Sequence, residues 1–81
     1  MSEMVRLKML RVELRQQKTD LKLRIRANIE ACQSALAGAS VRPIDEIDLR
    51  SAKIQLDEAA AQQQALAEVL GKLAKIEREL G

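Results

Sequence analysis

No tryptophan, tyrosine, phenylalanine or histidine occurs anywhere in the 81 residues, and there is a single cysteine, Cys32, and a single proline, Pro43. Each absence excludes something. Without aromatic rings the core must be built from Leu, Ile, Val, Met and Ala, and there is no aromatic side chain to stack on a nucleic-acid base. Without histidine, one cysteine cannot assemble a zinc site or a Cys/His nucleophile pair, so no metal or cofactor is expected. Cys32 cannot form an internal disulfide, which favours a reducing compartment and a cytoplasmic location, with an intermolecular bridge as the open alternative. Long apolar runs are missing too. Charges or glutamines interrupt every one of them well short of the roughly 18 residues of a membrane span, and Met1-Ser2-Glu3-Met4-Val5-Arg6 does not build the apolar core of a signal peptide.

What remains is rich in Ala, Leu, Glu, Gln, Lys and Arg, the composition of long helices and coiled coils. The chain has room for one small domain. Its formal charge of +2 is unevenly spread. Residues 1–38 hold eight basic and four acidic side chains, a balance of +4; residues 39–81 hold six and eight, a balance of −2. A basic arm folded back on an acidic one is electrostatically self-consistent.

The arms are separated by one interruption, from Gly38 to Asp48. Gly38 can take the left-handed conformation that closes a helix. Pro43 keeps Arg42 out of the α region, so the first helix cannot run into the second. Asp45 is the expected N-cap of the restart, with Asp48 three residues on and Ile44 and Leu49 placed for a hydrophobic staple. Alternatively Pro43 sits in the first helical turn, with Ser40 or Arg42 near the cap. The fold class is therefore all-α, an antiparallel two-helix hairpin of coiled-coil type occupying residues 1–81 as one unit. The expected elements are a helix over 3–37, a turn over 38–44 and a helix over 45–80.

On the first arm Leu7, Leu10, Leu14, Leu21, Ile25, Ile29, Cys32 and Leu36 share one face, with a gap at Gln17 and Lys18 and a repeat nearer 3.6 than 3.5. On the second the matching seam reads Ile47, Ile54, Ala61, Ala65, Val69, Leu73, Ile76 and Leu80, broken by Ser51 and Glu58. If the chain folds symmetrically about its turn, facing residue numbers total about 81 or 82, which sets a polar layer of Lys18 and Lys22 against Glu58 to Gln64. Each arm also carries apolar residues away from its seam, and Val5, Met9, Val12, Leu23, Leu49, Leu56, Leu66 and Leu70 are the candidate interface. A lone hairpin leaves more than half of each helix in water, so dimerisation into a four-helix bundle is expected.

Between the faces of the first arm, Lys8, Arg11, Arg15, Lys18, Lys22 and Arg26 form a basic ridge at steps of three and four residues. Such a ridge can follow a phosphate backbone, or it can be a solvated flank whose stems cover the seam. Paired carboxylates such as Asp57 and Glu58 are present, but two long helices offer them no concave, dry site, so no enzyme is expected. The leading reading is a small protein-interaction module (adaptor, chaperone, inhibitor or assembly factor) that meets a protein partner, or a second copy, through its apolar faces. The alternative is nucleic-acid binding along the ridge. In shape the chain resembles the Rop family of plasmid copy-number regulators, and that resemblance implies a dimer of hairpins that binds RNA.

Overall fold

A computed structural model describes residues 2–81. Two helices, α1 (Glu3–Ala35) and α2 (Leu49–Leu80), pack side by side and antiparallel, with a single 3-10 turn at Ile44–Glu46 in the connector. The molecule is a rod, 63 × 17 × 14 Å. Ser2 caps α1 by accepting a hydrogen bond from the Val5 amide at 3.2 Å, and Glu3 places a negative charge at the positive end of the helix.

α1 ends at Ala35, two residues short of the expected position 37, with Leu36 as its C-cap, and the left-handed residue comes just after, at Gly38. Gly38 has φ +76°, and a Cβ there would come within 2.9 Å of Arg42 Cδ. The amides of Val41 and Arg42 donate back to the Gly38 carbonyl at 2.9 and 2.8 Å, which curls the chain over the helix end. The restart differs from the expectation. Asp48, not Asp45, is the N-cap: its carboxylate accepts from the Ser51 amide at 2.9 Å, and α2 begins four residues later than the sequence pattern proposes. The cause lies in Ile47. A 3-10 turn closes from the Glu46 amide onto the Pro43 carbonyl at 3.0 Å, and then Ile47 turns extended and becomes buried. Ile47 and Ala52, both buried, take the two positions of the staple. Ile44 and Leu49 stay exposed.

Buried and half-buried residues define the seam. On α1 they are Leu7, Arg11, Leu14, Lys18, Leu21, Ile25, Asn28, Cys32 and Ala35, and on α2 Ala52, Gln55, Ala59, Gln62, Leu66, Val69, Leu73, Ile76 and Leu80. Only Ala31, Ser51 and Ala65 join them within the helices. Both rows advance in strictly alternating steps of three and four, which is a heptad repeat, and the drift toward 3.6 is not observed. Leu10, Ile29, Leu36, Ile54 and Ala61 consequently fall outside the seam and are exposed.

The seam has two halves of different character. Near the chain termini Leu14, Val69, Leu73 and Ile76 form the core, flanked by Leu7, Leu21 and Leu80. Truncating Leu14, 4% exposed, to alanine would cost about 2–5 kcal/mol. Near the turn the seam holds small or polar residues, Cys32 and Ala35 on α1 and Ala52, Gln55 and Ala59 on α2.

The register also departs from the symmetric expectation. Asn28 meets Gln62 and Arg15 meets Glu77, so facing numbers total about 90 rather than 81 or 82. Lys18 and Lys22 are thereby carried away from Glu58, and the polar layer proposed there does not form. The connector accounts for the offset. The first residues of α2 rise roughly a turn and a half above the partner level of Ala35, and Ile47 and Ala52 are buried in that step.

Candidate interaction surface

Of the eight candidate interface residues, seven are exposed: Val5, Met9, Val12, Leu23, Leu49, Leu56 and Leu70. Leu66 is half-buried because it belongs to the hairpin seam. The seven do not form one patch. Val5, Met9 and Val12 lie at steps of four and three on the side of α1 turned away from α2. Leu49, Leu56 and Leu70 lie on α2 beside the seam, seven residues apart with Gln63 filling the missing place.

Two residues that hydropathy assigns to the core belong with that second group. Ile29 of α1 and Leu36, the C-cap of α1, are 43% and 39% exposed and occupy the heptad position that flanks the seam on the same side as Leu56 and Leu70. Ile29, Leu23 and Ile25 line an open groove of about 560 Å³ with Gln63 and Leu66 across it. Lys22 and Arg26 form its basic border. The opposite flank of the hairpin is polar, lined by Gln17, Asp20, Arg24, Glu68 and Lys72 around Leu21, Ala65 and Val69. The hairpin is therefore sided: one flank carries exposed leucine and isoleucine toward the turn, and the other carries charge.

The basic ridge is not continuous in space. Lys8, Arg15, Lys22 and Arg26 are exposed, but Arg11 and Lys18 occupy seam positions and are half-buried. The Nε of Arg11 is sealed from water and has no acceptor on the protein. Arg15 pairs with Glu77 across the hairpin at 3.4 Å, with both side chains about half exposed, so the pair contributes little. Glu3 with Arg6 at 2.9 Å and Lys53 with Asp57 at 3.6 Å are likewise exposed pairs within one helix.

No group of three or more His, Cys, Asp or Glu side chains is placed to hold a metal ion among the described residues. Cys32 is a free, half-buried thiol in the seam. Among the described residues no helix is long and apolar enough to cross a membrane. Comparison with protein-family models, with curated proteins and with solved structures finds no match to this chain.

Proposed function

We propose that this chain is a small non-enzymatic protein-interaction module, an adaptor, chaperone, inhibitor or assembly factor, that works through apolar helix faces and pairs with a second copy as a four-helix bundle. The observation that carries the reading is the exposed apolar flank formed by Ile29 of α1 and its C-cap Leu36 with Leu56 and Leu70 of α2. A hairpin with seven buried side chains among the described residues has a thin core, and a second layer of helices would bury the flank that the first leaves open. A reducing, cytoplasmic setting suits the free Cys32.

Nucleic-acid binding is the second reading, supported by the exposed Lys8, Lys22 and Arg26. It is weakened by the draw of Arg11 and Lys18 into the seam and by the engagement of Arg15 with Glu77. Sedimentation equilibrium over a micromolar concentration series tests the first reading. Twice the chain mass of 9.0 kDa supports it, and a folded monomer across the series contradicts the homodimer. Titration with mixed RNA and DNA at two salt concentrations tests the second: a steep loss of binding with salt, removed by neutralising Lys8, Lys22 and Arg26, would favour it.

A further inference from the structure

Alongside the seam that faces α1, α2 carries a second one. Leu49, Lys53, Leu56, Ala60, Gln63, Ala67, Leu70 and Ala74 advance in strictly alternating steps of four and three, and every one of them is exposed. This is again a heptad repeat, turned roughly a quarter of the way round the helix from the first. Between Lys53 and Glu77 it contains no charge. One heptad position holds Leu49, Leu56, Gln63 and Leu70; the other holds alanine at residues 60, 67 and 74, where small side chains let a second backbone approach closely.

We infer that this stripe seats the α2 helix of a second copy, antiparallel, about a two-fold axis at Gln63. The inference rests on the homodimer proposed above and specifies its face and symmetry. Three features select this occupant. First, a two-fold interface must be self-complementary, so that residue i meets j and j meets i. The stripe is symmetric about Gln63: Leu56 and Leu70 lie seven residues to either side, and Ala60 and Ala67 three and four. Leucine thus meets leucine, alanine meets alanine, and Gln63 meets its own copy, where two amides can each donate to the other.

Second, the stripe ends in opposite charges. Lys53 stands toward one end and Glu77 at the other. An antiparallel pair brings Lys53 of each copy within about one helical turn of Glu77 on its partner, whereas a parallel pair in register would set like on like. Third, the corresponding side of α1 carries Lys8, Arg15, Lys22 and Arg26 through its first three quarters, and the uncharged row on its outer side, Val5, Met9, Val12, Gln16, Thr19 and Leu23, is not self-complementary: about its own midpoint an antiparallel copy would set Met9 on Thr19 and Val12 on Gln16.

Cysteine cross-linking in a Cys32→Ser background tests the arrangement on the full chain. Gln63→Cys lies on the axis and is expected to form a covalent dimer under mild oxidation. Leu56→Cys is expected not to cross-link to itself, because antiparallel copies hold the two positions roughly 20 Å apart. A mixture of Leu56→Cys and Leu70→Cys chains is expected to yield the mixed dimer. A dimer in which Leu56→Cys bonds to itself would overturn the antiparallel arrangement. A dimer by sedimentation in which none of these sites cross-links would overturn the face while leaving the homodimer standing. A wild-type chain that sediments as a folded monomer would overturn both. Circular dichroism on each variant confirms that the helices remain formed.

Discussion

Asn28 of α1 donates a hydrogen bond of 2.7 Å from Nδ2 to Oε1 of Gln62 on α2, in the half-buried middle of the seam. It ties the two helices at one level inside the seam, as Arg15 and Glu77 do at its exposed edge, and it separates the leucine-rich half of the hairpin from the half built on alanine. Polar pairs in coiled-coil seams fix register at a cost in stability.

That pair gives a sign-changing prediction. Asn28→Leu alone leaves the Gln62 carbonyl without its donor in a partly dry site and should destabilise the hairpin by about 1 kcal/mol. Replacing both residues with leucine should recover that loss and exceed the wild type. Chemical denaturation of the wild type, the two single leucine variants at Asn28 and Gln62, and the double variant measures it. A double variant no more stable than the single one would show that the hydrogen bond does not couple the helices.

Arg11 occupies a seam position with its Nε sealed off and unbonded. Arg11→Leu should raise the unfolding midpoint, because an apolar side chain at a heptad core position removes a desolvated donor and adds burial. Arg24→Leu, at an exposed position on the polar flank, should leave it within about 0.5 kcal/mol of wild type. Thermal unfolding of the two variants side by side decides the point.

The cap assignment is separable by alanine substitution. Asp48→Ala should cost about 0.5–2 kcal/mol, since it removes the acceptor for the Ser51 amide. Asp45→Ala, which deletes no cap bond, should cost much less. Equal losses at the two positions would return the helix start to Asp45.

Glycine substitutions should have opposite effects at two places. Gly71 lies inside α2 with nothing within 4 Å of the position a Cβ would take, so Gly71→Ala should stabilise by roughly 0.5–1 kcal/mol. Gly38, at φ +76° and tight against Arg42, should be destabilised by the same change. Denaturant midpoints measured under one set of conditions test both signs.

The two helices and the left-handed turn at Gly38 were legible from composition, periodicity and the chemistry of glycine, although α1 ends earlier than expected, at Ala35. The seam was legible only in its apolar half. Near the turn a hydropathy reading takes Ile54 over Gln55 and Ile29 over Asn28, but continuity of the heptad from Leu14 and Leu73 forces the polar residue inward and leaves the isoleucine exposed. Arg11 and Lys18 reach seam positions for the same reason, their apolar stems covering the seam even though the Nε of Arg11 is sealed off with them. The cap was ambiguous because Asp45 and Asp48 are equally good acceptors locally; the burial of Ile47, a tertiary event, chooses between them. The register depended on the axial step between the helix ends, which no local pattern encodes. Among the candidate interface residues, the spacing of Leu49, Leu56 and Leu70 in multiples of seven was the readable signal. Ile29 and Leu36 were hidden inside an apparently better core.

The two exposed apolar stripes give opposite expectations in one measurement. Sedimentation equilibrium is run on a chain carrying Leu56→Glu with Leu70→Glu and on a chain carrying Val5→Glu, Met9→Glu and Val12→Glu, beside the wild type. If the α2 stripe seats a second copy, the first variant sediments at the single-chain mass and the second, like the wild type, at twice that mass. A dimer that survives Leu56→Glu with Leu70→Glu but is lost in the α1 variant would contradict it.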